Sequence, residues 1–256
     1  MRVSYFDTFD PVPRERLNTN TVARLDGVVS FSELLPVLEE LRARYAPARL
    51  VCTLDDVNQC AYTSMHASFD DRLDYRDDGY DEKDSAAVHH ADNSGAVRIA
   101  AALEDPGLRV EWAALDGTRA GTEATIAALI EANRHPERVL DDVVLIQRVP
   151  VPRDDLAIAG IPNGYFESDW DIFRNHAVVR RLAVHGYRHI GIGAAFLGFD
   201  RPTAPTMDEA HAVAADLAHL YGAAAAPEWP ELAAVLATQR LLILGYAEDF
   251  TDTLDR

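Results

Sequence analysis

Positive charge is scarce in this sequence, which argues against partners that are recognised through their phosphates. Of the 256 residues, 24 are Lys or Arg and 42 are Asp or Glu, so the net charge is −18. Affinity for nucleic acid comes mostly from Lys and Arg side chains that displace condensed counterions. An anionic membrane surface repels an acidic protein. We therefore expect neither a nucleic acid nor a membrane as a partner.

Cysteines and long apolar segments are also scarce. Cys52 and Cys60 are the two cysteines, and charge-free runs such as residues 190–199 are much shorter than a membrane span, which needs roughly 18 to 20 apolar residues. Residues 1–7 have neither the basic nor the apolar part of a secretory signal. These features predict a cytoplasmic protein, in which both cysteines are reduced.

The sequence lacks the short motifs that most directly indicate an enzyme class. It has no HExxH or CxxC zinc motif, no phosphate-binding Lys-Ser/Thr loop and no Gly-x-Ser-x-Gly turn. The glycines between residues 191 and 198 resemble a dinucleotide loop only in part, since Phe196 stands where the third glycine is needed. A covalent nucleophile and a nucleotide loop are therefore unsupported.

The composition is that of a folded protein, in which helices and strands alternate. Hydrophobic residues make up 48% of the chain and charged residues 26%, a balance that can offset the ordering entropy of folding. The patterns predict helices from residue 30 onward and over 96–103, 121–133, 170–184, 207–221 and 230–238, and strands over 48–54, 108–115, 143–146, 187–199 and 241–246. This alternation predicts an α/β fold around a central mixed sheet, with an α+β fold as the alternative.

Two segments interrupt the alternation. Residues 70–84 are rich in Asp, which favours a solvated acidic loop over a cation-binding excursion. Residues 150–163 contain three Pro, two Asp and one Gly and suggest a boundary. The expected organisation is an N-terminal region, 1–149, and a C-terminal region, 150–256, that carries the site. A single continuous domain is the alternative.

One helix carries polar residues on its apolar face. At 100° per residue, Asp169, His176 and Arg180 fall within the apolar sector of the helix predicted over 170–184. Buried polar groups must pair, bind a ligand or line a cleft. We predict His176 as a general acid or base oriented by Asp169, with Arg180 and Tyr165 binding an anionic substrate. The alternative is structural: a helix cap, a satisfied core histidine and an arginine at the rim.

Acidic residues follow several of the predicted strands. They are Asp55, Asp56, Asp116, Asp200 and the pair at 248–249. Ligands of open α/β sheets bind beyond the carboxyl ends of the strands, where carboxylates are suited to a hard cation. Asp200 is therefore a candidate ligand for a divalent metal cofactor. Ordinary turn chemistry in an acidic chain is the alternative.

Two functions fit these features. The first is a small-molecule hydrolase or proton-transfer enzyme that uses His176 in the C-terminal half. The second is an acidic interaction protein, similar in role to an immunity protein or an antitoxin, that binds a basic protein partner. A net charge of −18 would attract such a partner over a long range.

Overall fold

The structure is a computed structural model that describes residues 1–7, 15–74, 79–115, 117, 121–222 and 224–254. Within them the strands are β1 (Arg2–Tyr5), β2 (Thr21–Asp26), β3 (Arg49–Thr53), β4 (Val143–Val149), β5 (Arg188–Ile192), β6 (Phe196–Asp200) and β7 (Leu241–Gly245). They form one sheet in the order β1-β2-β4-β3-β5-β6-β7. Only β3 and β5 pair in parallel among these strands. The predicted α/β fold with a mixed sheet is confirmed.

Helices connect and cover the strands. They are α1 (Phe31–Tyr45), α2 (Val57–Ala67), α3 (Ser85–Glu104), α4 (Glu123–Arg134), α5 (Ile172–Val184), α6 (Met207–Tyr221), α7 (Trp229–Leu236) and α8 (Phe250–Thr253), with a 3-10 segment at Asp154–Gly160. Several begin where the sequence offers a cap: the side chain of Asp171 accepts from the amide of Arg174, and Thr206 forms a capping box with Glu209. None of the helices in the described ranges is long and apolar enough to cross a membrane.

Some predicted elements are wrong in extent or type. Residues 108–115 contain the 3-10 turn Trp112–Leu115 and no strand. The long strand predicted over 187–199 is a hairpin, since the chain reverses between β5 and β6. Strands β1 and β2 lie outside the predicted set. The acidic segment is exposed at 79–84, and its residues 75–78, like Asp116, lie outside the described part of the chain.

The core contains side chains from both sides of residue 150. Val51, Ile146 and Ile190 are fully buried members of one hydrophobic cluster, although the boundary suggested at 150–163 stays a prediction. Cys52 and Cys60 are buried and unbridged. Burial raises the pKa of the Cys52 thiol to about 12, which keeps it protonated and unreactive.

Strand direction determines where a ligand can bind. β3 and β5 run in parallel, and two successive antiparallel pairings give β7 the same direction. The carboxyl ends of β3, β5 and β7 therefore meet at one edge of the sheet, which is where open α/β sheets bind their ligands.

Candidate functional site

A cavity of about 630 Å³ opens at the carboxyl ends of β3, β5 and β7, and we call it the carboxyl-edge pocket. Its walls come from the segments that follow these strands and from the loop before α5. The lining residues are Asp55, Asp56, Gln59, Phe166, Ser168, Asp169, Ala194, Ala195, Ala247, Glu248, Asp249, Thr251, Asp252 and Thr253. The cavity therefore lies at the same edge of the sheet where the strand directions predict ligand binding.

Asp55 is a buried carboxyl group in the wall of the pocket. It lies two residues beyond the end of β3 and is 5% exposed. Its Oδ2 accepts from the amide of Ala195 at 2.9 Å, and its Oδ1 from the amide of Phe196 at 3.2 Å. Burial raises the pKa of Asp55 to about 7, although these two hydrogen bonds act in the opposite direction. Asp55 therefore changes its charge near neutral pH.

Asp169 connects two walls of the same pocket. Its side chain is buried, and its Oδ1 accepts from the amide of Glu248 at 3.1 Å. That bond links the loop before α5 to the segment after β7. Asp169 is thus a predicted site residue that lines this pocket.

The charged side chains among the described lining residues of the pocket are all acidic. Six of its lining residues are acidic, and none of the described residues that line it is Lys, Arg or His. Asp55 and Asp169 are buried, whereas Asp56, Glu248 and Asp249 are exposed at the rim. Carboxylates that share a cavity repel one another and favour a bound cation.

His176 lies elsewhere, inside the protein. It is 2% exposed, and its Nε2 is 3.2 Å from Oδ2 of Asp155, which also accepts from Arg153 at 2.9 Å. Partial burial would raise the pKa of Asp155, but the bonds from His176 and Arg153 outweigh it and hold that pKa well below its usual range. The structure thus pairs His176 with Asp155, where the sequence suggested Asp169.

The helix begins too late for the predicted alignment. α5 starts at Ile172 with Asp171 as its cap, so Asp169 precedes the helix and does not share its stripe. Arg180 donates to the carbonyl of Val110 at 2.8 Å. Neither His176 nor Arg180 lines the carboxyl-edge pocket. The acid–base role of His176 and the substrate-binding role of Arg180 stay predictions.

Asp200 is held by arginines. Its carboxylate is fully buried at the end of β6, accepts from Arg188 at 3.2 Å and accepts from Arg240 at 2.8 Å. Arg188 also donates to Glu39 at 2.6 Å. In the described ranges, no group of three or more His, Cys, Asp or Glu side chains has an arrangement that could hold a metal ion. A metal at Asp200 therefore stays a prediction.

A second cavity, of about 780 Å³, lies between α2 and α3, and we call it the α2–α3 cavity. A polar chain runs beside it: Arg148 donates to Nε2 of His89 at 3.2 Å, Nδ1 of His89 is 3.1 Å from the hydroxyl of Thr19, and that hydroxyl bonds to Asp92. Burial and the charge of Arg148 lower the pKa of His89. A neutral His89 that accepts at Nε2 and donates at Nδ1 satisfies each of these bonds.

Removing His176 is expected to destabilise the protein. The variant His176→Ala empties a buried site and leaves Asp155 with fewer donors, at a cost of about 2 kcal/mol or more. The pKa of Asp155 should rise toward its ordinary value. The stability that its carboxylate contributes above the unfolded pKa is then lost at a higher pH as acid is added.

Urea unfolding at several pH values measures both effects. His211 is exposed on α6, and His211→Ala, the control, should change stability by no more than about 0.5 kcal/mol. Equal unfolding midpoints for the two variants would contradict the structural role of His176.

The His176 pair and the carboxyl-edge pocket each contain a residue that was not predicted for the site, Asp155 and Asp55 respectively. No pattern in the sequence indicates Asp155 as the partner of His176, because Asp155 follows a Pro-rich segment without periodicity. Asp55 is one of several acidic residues that follow strands in the sequence, and its burial cannot be read from the sequence.

No known protein family, curated protein or solved structure matches the chain in the comparisons.

Proposed function

We propose that the carboxyl-edge pocket binds a small organic cation and that Asp55 exchanges a proton with it. The observation that carries this proposal is the lining of the pocket, which has six acidic residues and no basic residue among those described. This keeps the proton-transfer class expected from the sequence. It replaces the anionic substrate with a cationic one and moves the acid–base role from His176 to Asp55.

The position of Asp55 suits a cationic ligand. Each carboxylate oxygen has two lone pairs, and the amides of Ala195 and Phe196 occupy one on each oxygen. In this proposal, an ammonium or guanidinium donor binds to a remaining lone pair. A cation also restores a counter-charge to a carboxyl group whose ionisation is costly in its buried position.

The proposed reaction step is a proton transfer between Asp55 and an amine. In one direction, the Asp55 carboxylic acid gives its proton to a neutral amine, which leaves a carboxylate paired with an ammonium ion. In the other direction, the carboxylate takes a proton from the bound cation. General acid–base catalysis is most efficient when the pKa lies near the working pH, and a pKa of about 7 meets that condition.

Binding of propylamine, with uncharged propan-1-ol as the comparison, tests the proposal. By calorimetry, the ammonium form should bind and the alcohol should not. Because Asp55 loses its charge as the pH falls through about 7, affinity should drop about tenfold between pH 8 and pH 6. In Asp55→Asn this pH dependence should disappear.

Two further variants keep the test decisive. In Asp55→Asn only one side-chain oxygen faces the two amide donors, so this variant loses a hydrogen bond as well as a charge. We therefore add Asp249→Asn, at an exposed residue of the rim. It should weaken binding and keep the pH profile. Asp208→Asn, on α6 and outside the pocket, is the matched control and should bind as the wild type does. Equal binding of alcohol and amine, or binding of Mg²⁺ with no binding of amine, would overturn the proposal.

A further inference from the structure

A row of four rings, three of them exposed, lies next to the carboxyl-edge pocket. The ring of Tyr62 is 4.4 Å from that of His66, the ring of His66 is 5.0 Å from that of Tyr165, and the ring of Tyr165 is 5.4 Å from that of Phe166. Tyr62 and His66 belong to α2, whereas Tyr165 and Phe166 belong to the loop before α5. We call these four residues the aromatic strip.

The strip exposes much apolar surface to solvent. Tyr62, Tyr165 and Phe166 are 51%, 47% and 48% exposed. Met65 on α2 and Phe69 just after it are exposed to a similar degree. Single exposed apolar residues are ordinary, but a contiguous group of large ones marks an interaction site.

The strip leads from one cavity to the other. Phe166 is part of the wall of the carboxyl-edge pocket, and Tyr62 and Met65 are part of the wall of the α2–α3 cavity. A small amine such as propylamine occupies only part of this pocket, where Phe166 is the ring of the strip that it can contact. A ligand that also contacts Tyr165 and the rings on α2 must be longer.

We propose that the aromatic strip binds a segment of a partner protein in which a Lys or Arg side chain stands near a large apolar side chain. The basic side chain enters the carboxyl-edge pocket, and the apolar side chain packs on Tyr165. This rests on the proposed function, because it uses the same acidic pocket. It gives a location to the basic protein partner that the net charge suggested.

Charge complementarity favours a basic protein segment over other long ligands. Exposed rings also stack on bases of single-stranded nucleic acid, but six carboxylates beside the strip and a net charge of −18 repel a phosphate backbone. A basic segment is attracted by the same charges. Tyr, Phe and Met are enriched at protein interfaces, and ring faces attract Lys and Arg.

Short peptides with blocked ends test the inference. One set carries a lysine and a phenylalanine at several separations, a second replaces the phenylalanine by serine, and a third replaces the lysine by norleucine. In the wild type, the best peptide of the first set should bind about tenfold more tightly than its serine counterpart, and the norleucine set should bind weakly. Tyr165 does not line the carboxyl-edge pocket, although the sequence suggested a substrate-binding role for it. Tyr165→Ser should therefore remove the advantage of phenylalanine and leave the affinity for propylamine unchanged.

The matched control is Val184→Ser. Val184 is exposed on α5, outside the strip, and its replacement should leave every peptide affinity unchanged. If propylamine binds but phenylalanine gives no advantage, the inference fails and the proposed function stands. If neither propylamine nor any lysine peptide binds, both fail. Tighter binding of single-stranded DNA than of the peptides would also overturn the inference.

Discussion

The variant Gly193→Ala is expected to abolish cation binding and to destabilise the protein by about 3 kcal/mol, the upper part of the usual range for overpacked sites. Gly193 follows β5, and a Cβ atom built on it would overlap Oδ1 of Asp55 and lie 2.5 Å from the backbone nitrogen of Asp55. Because a backbone atom is involved, rotation of a side chain cannot relieve the overlap. Asp55 or the β5–β6 turn must move.

Several bonds to this turn resist such a movement. The carbonyl of Gly193 accepts from the hydroxyl of Tyr246 at 2.8 Å and from the side chain of Asn163 at 2.9 Å. Asp55 holds the amides of Ala195 and Phe196. A shift of the turn breaks some of these bonds, and a shift of Asp55 removes the carboxylate from the pocket. Both outcomes disable the proposed site.

Calorimetry with propylamine and urea unfolding measure the two effects. Gly95→Ala is the matched control, because Gly95 lies within α3 and a Cβ atom added to it would have no neighbour within 4 Å among the described residues. Alanine is the better helix former, so this variant should gain about 0.5 to 1 kcal/mol of stability. Normal binding by Gly193→Ala would show that the close approach of Gly193 to Asp55 does not matter for the pocket.

The main features of the fold can be predicted from the sequence, because they depend on local patterns. The apolar run that forms β3 and the helical pattern over 207–221 that forms α6 each identify their element without reference to the rest of the chain. The pattern predicts one strand in place of the β5–β6 hairpin, because both strands are apolar and the turn at Gly193 contains no polar turn residue. Strand β2 escapes prediction because Arg24 interrupts its apolar run.

The site can be predicted only in part, because it is assembled from distant segments. The expectation that acids after strands meet at one edge brings Asp55 and Glu248 into consideration, and both line the pocket. The depth of Asp55 depends on the β5–β6 turn, about 140 residues away in the chain, and no local pattern reports it. The helical spacing of His176 and Arg180 indicates burial correctly for His176, but it cannot identify Asp155 as the partner.

The variant Asp200→Asn is expected to destabilise the protein by about 3 kcal/mol, because its buried carboxylate accepts charge-assisted hydrogen bonds from two arginines, each worth about 1.5 to 3 kcal/mol. Asp200 is fully buried and is paired with Arg188 and Arg240. Burial lowers the pKa of nearby Arg42, the charge of Arg188 lowers it further, and the charge of Asp200 acts in the opposite direction. Removing the Asp200 charge leaves Arg42 and Arg188 to share the carboxylate of Glu39.

Glu39→Gln is the matched control for this network. Glu39 pairs with Arg42 and Arg188 but its side chain is 51% exposed, so its loss should cost less than about 1 kcal/mol. Urea unfolding with and without EDTA then separates the two roles considered for Asp200. If Asp200 stabilises the protein through its arginines, EDTA leaves the wild type unchanged. If EDTA lowers wild-type stability to that of Asp200→Asn, Asp200 is a metal ligand, as the sequence suggested, and the arginine network is secondary.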